Sequence, residues 1–389
     1  MFIMPLLKLM ADKDASDMFF SVGAPINIKI NGTVMPVNQQ ALDAESVKRI
    51  IYEMMNPQQI ADFEANLESN FSYRVPDVAN FRVNAFRQKG GAAMVIRHVK
   101  ANIPDMETLK LPPIFKELIM EKRGMILVVG STGSGKSTTL ASMLEYRNTT
   151  KTGHILTIED PVEFIFQHKK CIVNQREVGM DTLSYSNALI NAMREAPDVM
   201  MIGEIRDRDT LKHALIFAQT GHLCMATLHA NNSYHGLNRI INFFPHDARP
   251  ALLADLSISL RCVISQRLVR GINGKMVPAV EVLLNTKHIS ELIAEGEINA
   301  IKDAMEQSLS PGSQTFEQAL YKLIKDGLIT REEAMIHADS PTNLATLIDY
   351  SHSTQKSDEE AAASSTTTTK ADGSSSFEGF TLNTDLLDK

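Results

Sequence analysis

The pattern of hydrophobic and polar residues changes near residue 114. From there to about residue 284, continuous apolar runs alternate with longer stretches of helical periodicity. Continuous apolar runs are typical of parallel strands that are buried on both faces, and their alternation with helices predicts βαβ units. We therefore predict that residues 114–285 form an α/β core domain around a parallel sheet.

The first hundred residues have the pattern of a small α+β domain. The pair Asn31-Gly32 lies between two short strand-like segments and is typical of a type I′ hairpin turn. The elements predicted after it are a helix at 44–55, a helix from 57 to about 69, and strands at 81–87 and 93–99. Alternation on the last two strands leaves a polar face with Arg82, Arg87 and Arg97, which by spacing alone could be ordinary solvated arginines.

Three further segments complete the predicted organisation. Residues 101–113 contain three prolines and no periodicity, which predicts an interdomain linker. Residues 286–350 predict a helical C-terminal domain, with helical periodicity at 289–301 and 316–326. Residues 351–389 are acidic and rich in Ser, Thr and Ala, which predicts a disordered tail.

Composition narrows the possible functions. The net charge of −7 argues against a nucleic-acid partner, because such surfaces are normally basic. The three cysteines lie far apart, which argues against a disulfide framework or a structural zinc site and suits the cytoplasm. The apolar N-terminal segment is too short for a signal peptide or a membrane span. We therefore expect no direct membrane insertion.

The strongest chemical signal is a glycine-rich loop, GSTGSGKST, between an apolar run at 125–129 and a helical stretch at 138–147. It fits the phosphate-binding pattern G-x-x-x-x-G-K-[S/T], in which backbone N–H groups and a helix N-terminus surround the anion. We expect Lys136 to reach the β- and γ-phosphates of ATP and Ser137 to bind Mg²⁺. The predicted nucleotide-binding residues of the loop are Gly130, Ser131, Thr132, Gly133, Ser134, Gly135, Lys136, Ser137 and Thr138.

Three later strands, at 154–158, 198–202 and 223–228, also end in polar residues. Ligands in open α/β sheets bind at the carboxyl ends of the strands, so these residues predict one site together with the loop. Glu204 is the candidate base for the attacking water, and Glu163 is a second carboxylate that could position the water or reach Mg²⁺. Asp160 could join the metal-binding group with Ser137 and Glu204.

Two histidines, His222 and His229, flank the strand at 223–228. A zinc site would need a compact third ligand, which the sequence does not offer. The remaining possibilities are a structural histidine or a sensor that hydrogen-bonds the γ-phosphate or a neighbouring carboxylate.

Four segments together resemble a known family. GSTGSGKST, HILTIEDPVEFIF, APDVMMIGEIRD and TGHLCMATLHANN resemble the Walker A, aspartate, Walker B and histidine boxes of the type II/IV secretion ATPases. The resemblance extends to about residue 350. The short N-terminal domain is similar to that of the PilT/PilU branch of twitching-motility ATPases, and residues 314–348 look closest to the PilU subfamily.

The resemblance implies a RecA-like P-loop core, a PAS-like N-terminal domain and a homo-hexamer that binds Mg·ATP between the two domains. It implies that Arg82 and Arg97 match N-terminal arginines that reach the nucleotide and act in catalysis. It further implies an ATPase that removes pilin subunits from a pilus base, working in the cytoplasm at the inner-membrane pilus base. The implied partners are a PilT-type ATPase paralogue and an inner-membrane platform protein.

One departure from the family concerns the segment HISELIAE at 288–295. Retraction ATPases of the PilT type carry AIRNLIRE there, and this chain lacks both arginines. We therefore predict an accessory that supports a PilT-type motor. The alternatives are a self-sufficient retraction ATPase and a nucleotide-binding ring regulator without motor activity. An assembly ATPase is disfavoured because the chain lacks the four-cysteine insertion, and a nucleic-acid translocase because it lacks a basic surface.

Overall fold

The computed structural model describes residues 2–30, 32–76, 78–99 and 102–350. It contains one sheet of six strands and one of seven. The second sheet is mostly parallel and is covered by helices, which confirms the α/β class. No helix in the described ranges is long and apolar enough to cross a membrane.

The six-stranded sheet is formed entirely by antiparallel pairs, in the order β3-β2-β1-β6-β5-β4. Its strands are β1 Asp17–Phe20, β2 Asn27–Ile30, β3 Thr33–Pro36, β4 Glu68–Val75, β5 Ala79–Gln88 and β6 Gly91–Val99. The helices of this region are α1 Met4–Asp12, α2 Ala44–Met54 and α3 Pro57–Asn66. Aliphatic and aromatic side chains from these strands and these helices form one buried cluster, which includes Phe20, Ile51 and Phe81.

The seven-stranded sheet has the order β13-β12-β7-β11-β10-β8-β9. Its strands are β7 Gly124–Val129, β8 Gly153–Glu159, β9 Cys171–Glu177, β10 Val199–Ile202, β11 Leu223–Leu228, β12 Leu260–Arg270 and β13 Met276–Leu284. All neighbours pair in parallel except β12 and β13. The strands β7, β8, β10 and β11 are neighbours and end side by side. This confirms the prediction that their carboxyl ends, with the polar residues that follow them, lie together.

Helices lie on both faces of this sheet. They are α4 Ile114–Leu118, α5 Lys136–Thr150, α6 Tyr185–Ala192, α7 Arg208–Gln219, α8 Ser233–Asn242 and α9 Arg249–Ser259. Every residue of β7 and β11 is buried, and two apolar clusters occupy the two faces. This packing holds the strand ends, and the polar loops that follow them, in fixed positions.

The C-terminal region is helical, as predicted. It contains α10 Lys287–Glu295, α11 Ile301–Glu306, α12 Phe316–Lys325 and α13 Arg331–His337, and residues 341–350 are helical as well. Arg267 of β12 anchors this region, because its Nη1 donates to the carbonyl of His337 at 2.5 Å and its guanidinium lies over the Phe316 ring. Arg267 also pairs with Asp339.

Several predicted boundaries were wrong. The helix expected to reach residue 69 ends at Asn66, because Leu67 adopts a left-handed conformation and β4 starts at the next residue. The single helix expected at 289–301 is broken at Gly296, whose φ of 78° ends α10. The hairpin pairing of β2 with β3 is confirmed, although Asn31 in its turn lies outside the described residues. The predicted acidic tail, 351–389, also lies outside them.

Candidate active site

The phosphate loop connects β7 to α5, and close packing explains its glycines. Gly135 precedes the helix with a φ of 88°, in the left-handed region that favours glycine. A Cβ added there would lie 2.7 Å from the side-chain nitrogen of Gln266. At Gly130 a Cβ would lie 2.4 Å from Ser134 Oγ. A larger residue at either position would therefore push the loop out of shape.

Lys136 is held inside this loop. Its Nζ donates to the carbonyls of Gly130 at 3.0 Å and Ser131 at 2.8 Å. Burial lowers the pKa of Lys136, while the negative charges of Glu204 and Glu163 act in the opposite direction. The Ser134 hydroxyl is buried and finds no hydrogen-bond partner among the described residues. A buried ammonium, an unpaired hydroxyl and a helix N-terminus suit a bound phosphate.

Glu204 follows β10 and lies at the centre of a charged cluster. Its Oε2 accepts a hydrogen bond from Arg206 Nε at 2.6 Å, and its Oε1 lies 3.3 Å from His229 Nε2. Arg206 Nη1 also reaches Asp160 Oδ2 at 3.3 Å. The ends of β8, β10 and β11 thus bring together Asp160, Glu204 and His229, as the sequence predicted.

These side chains share a cavity of about 470 Å³ with the phosphate loop. Its wall includes Lys136, Ser137, Glu163 and Glu204, and apolar residues such as Phe164 and Leu140 line the remainder. A cavity of this size is within the range of small-molecule sites. The loop and the carboxylates therefore face one common space.

Two further polar residues lie in this region to which the sequence assigned no role in the site. Glu159, the last residue of β8, lines the cavity, and burial raises its pKa to about 7. Gln266 of β12 contacts the loop itself. Glu159 could have been found from its position directly before Asp160. Gln266 gave no signal, because it lies far along the chain from the loop and in none of the recognised motifs.

His222 does not belong to this cluster. It precedes β11, whereas His229 follows it, so the two lie roughly 20 Å apart for a strand rise of about 3.3 Å per residue. The His222 ring packs against Phe217, with 4.6 Å between ring centroids, and its carbonyl accepts a hydrogen bond from Gly124 at the start of β7. β11 thus places His222 at the edge of the sheet opposite the phosphate loop, and the nucleotide contact predicted for His222 stays a prediction.

Comparison with known proteins agrees with this geometry. The family model described as type II/IV secretion system protein matches residues 1–282. The chain belongs to this family. A type IV pilus ATPase of Pseudomonas aeruginosa, PilU, is 50% identical over 344 residues, which cover 88% of this chain and 90% of that protein. The retraction ATPase PilT of the same organism is 45% identical over 341 residues, covering 88% and 99%.

A solved structure is similar as well. A crystal structure of the pilus retraction motor PilT with bound ADP is 41% identical, with a TM-score of 0.83 over 88% of this chain and 99% of that one. Like other type II/IV secretion proteins of this kind, the chain is an ATPase that binds nucleotide.

The family resemblance singled out two arginines of the six-stranded sheet. Arg82 on β5 and Arg97 on β6 are direct cross-strand partners. Burial lowers the pKa of Arg82, whereas the carboxylates of Glu177, Asp160 and Glu163 act to raise it. Arg82 therefore lies within electrostatic range of the cluster. Arg97 is more exposed and pairs with Asp17, from Nε to Oδ1 at 2.9 Å.

The residues present also suit Mg²⁺. Among the described residues no three His, Cys, Asp or Glu side chains form a group that could hold a metal ion by itself. Mg²⁺ in phosphate-transfer sites typically takes one or two protein oxygens, with water and phosphate oxygens completing the octahedron. The Ser137 hydroxyl and the carboxylates of Asp160 and Glu204 line the cavity and are oxygen donors of that kind.

Proposed function

We propose that this type II/IV secretion protein is a homo-hexameric ATP-driven motor of the type IV pilus. In this proposal it supports pilus retraction and twitching motility as an accessory to a PilT-type ATPase. The observation that carries the proposal is the cavity that joins Lys136 of the phosphate loop to Glu204 and His229. The similarity to PilU and PilT over nearly nine-tenths of the chain supports it.

In the proposed reaction, the loop N–H groups and Lys136 hold the phosphates. Glu204 accepts a proton from the attacking water, Glu163 orients that water, and His229 hydrogen-bonds the γ-phosphate or Glu204. Bound Mg²⁺, with Ser137, Asp160 and Glu204 as candidate ligands, would neutralise charge on the phosphates. Arg82 and Arg97 add positive charge from the N-terminal region, which couples movement of that region to hydrolysis.

The proposed setting follows from the same relatives. We place the ring in the cytoplasm, peripherally at the inner-membrane base of the pilus, in contact with a platform protein and a PilT-type paralogue. Nucleic acid is not a proposed partner, because the chain carries a net negative charge.

The accessory role is supported by the surface of α10. At the two positions where PilT-type proteins carry arginine, this chain has Ser290 and Ala294. The Ser290 hydroxyl donates to the carbonyl of Ser257 at 2.8 Å, so it is used inside the protein. Ala294 is exposed, and Glu291 and Glu295 lie near it on the helix. The two positive charges of the PilT-type motif are thus absent from α10 of this chain.

The test uses strains that lack the native copies of both ATPase genes. The first strain receives only the gene for this protein. The second receives this gene and a gene for a catalytically dead PilT-type paralogue. The third carries the same dead paralogue together with the Lys136→Ala variant of this protein. We expect pilus retraction in the second strain alone. Robust retraction in the first strain would make the protein a self-sufficient motor, and retraction in the third would show that ATP hydrolysis by this protein does not supply the force.

A further inference from the structure

Gln266 contacts the phosphate loop from a neighbouring strand. Its Nε2 donates to the carbonyl of Ser134 at 2.8 Å, and its Oε1 accepts a hydrogen bond from Thr139 Oγ1 at 2.7 Å. Both contacts are buried, and the residue Gln266 as a whole is 3% exposed. One amide therefore joins the middle of the loop to the first turn of α5.

Strand pairing places Gln266 at this point. β12 runs parallel to β7, and Ser265 is the partner of Val129, the last residue before the loop. The next residue on each strand is therefore Gln266 on one side and Gly130 on the other. Because the two strands are hydrogen-bonded in a buried sheet, the amide has a fixed origin from which to hold the loop.

The two glycines of the motif pack directly on this residue. A Cβ added to Gly130 would lie 2.6 Å from the Gln266 carbonyl oxygen, and one added to Gly135 would lie 2.7 Å from its Nε2. Both distances are shorter than any normal carbon contact. The chain at Gly130 and at Gly135 thus runs directly against Gln266, and the Gln266 amide holds Ser134 by a hydrogen bond.

The exposed part of the loop needs such support. Ser131, Thr132 and Gly133 are exposed, so few packing contacts restrain them. The Gln266 amide makes two buried hydrogen bonds to this region, and both would be lost together if the amide were removed.

We propose that Gln266 is a positioning residue for nucleotide binding, because it holds the loop in the shape that receives the phosphates. This inference rests on the proposed binding of ATP at the loop. The loop contacts the phosphates of bound ATP in the ground state and in the transition state of hydrolysis, so its shape stabilises both states to a similar extent. Loss of Gln266 should therefore weaken binding of ATP and ADP and leave the chemical step nearly unchanged.

The test compares Gln266→Met with a matched control, Gln314→Met. Methionine keeps the length of the side chain and removes both hydrogen bonds. Gln314 also donates from its amide to a buried-strand carbonyl, that of Val280 at 2.7 Å, but it lies outside the nucleotide cavity. The readouts are the Kd for ADP, the KM and kcat for ATP, and the melting temperature.

For Gln266→Met we expect the Kd for ADP and the KM for ATP to rise about tenfold while kcat stays within about threefold. Gln314→Met loses one buried hydrogen bond, so it should lower the melting temperature and bind ADP like the parent. If Gln266→Met binds ADP with parental affinity, the inference about Gln266 is overturned and the proposed function is unaffected. Absence of ADP binding by the parent would overturn the proposed function as well.

A second pair of variants covers the case in which Gln266→Met does not fold. Thr139→Val removes only the hydrogen bond to Gln266 Oε1, and Thr139→Ser keeps it. We expect Thr139→Val to weaken ADP binding several-fold and Thr139→Ser to restore it. Equal ADP affinity of the two variants would contradict the inference.

Discussion

Arg206 Nε donates to Glu204 Oε2 at 2.6 Å, so the candidate base is paired with a guanidinium only two residues further along the chain. The same arginine reaches Asp160, and the other oxygen of Glu204 faces His229. Both carboxylate oxygens therefore have a protein partner. Each oxygen keeps a second lone pair, so a water can approach Glu204 while both partners hold the carboxylate in place.

Lys136→Ala should abolish measurable ATPase activity. The ammonium is the only side-chain cation in the loop, and it is already buried where the phosphates are expected to lie. Phosphate release by the purified protein measures the effect. Lys170→Ala is a suitable control, because that lysine also donates to a backbone carbonyl, that of Thr150, but is exposed and outside the cavity. Turnover by Lys136→Ala at the rate of the control would contradict the role of the loop.

Arg82→Ala and Arg97→Ala should assemble normally but turn over more slowly. An arginine that stabilises transition-state charge contributes roughly 10³–10⁵ in rate, so each loss should be large. Arg87→Ala is the matched control. Arg87 lies on β5, as Arg82 does, but it binds Glu64 at 2.7 Å. The control should change stability rather than turnover. If all three variants hydrolyse ATP like the parent, the two arginines have no catalytic part.

Glu281→Gln should alter the pH dependence of stability. Burial raises the pKa of Glu281, although hydrogen bonds from Ser233 N and Ser265 Oγ favour its charged form and the charge of Asp339 disfavours it. The unfolded chain loses this proton near its ordinary pKa of about 4.5, whereas the folded protein keeps it to higher pH, so stability falls as pH rises above that value.

Glutamine has no proton to lose and can still accept both hydrogen bonds. The melting temperature of Glu281→Gln minus that of the parent should therefore be more positive at pH 8 than at pH 5. A difference that stays constant or decreases over this range would show that the carboxyl group is not held in its protonated form.

The fold was predictable wherever a pattern is local. The apolar runs of β7, β8, β10 and β11 are continuous, and each is followed by polar residues, so their common edge followed from the sequence. The strands β1, β4, β9, β12 and β13 were not among the predicted elements. The pattern of β4 is mostly exposed and that of β9 alternates, and both depend on a neighbouring strand for their hydrogen bonds.

The site was predictable to the same extent. Lys136, Glu204 and His229 stand in motifs whose spacing already implies phosphate chemistry. Gln266 and Arg206 gain their importance only from three-dimensional contacts, with the loop in one case and with Glu204 in the other. His222 and His229 are close in sequence, but β11 separates them in the fold, and only His229 lies beside Glu204.

The central claim is that Glu204 activates water at this phosphate loop, and Glu204→Gln tests it most directly. Glu195→Gln is the control, since that carboxylate pairs with Arg176 and does not line the cavity. ATP binding and phosphate release are measured on the same purified samples. We predict that Glu204→Gln binds ATP like the parent and hydrolyses it roughly 10²–10⁴ times more slowly, the usual contribution of a positioned base. Parental turnover by Glu204→Gln would contradict the claim.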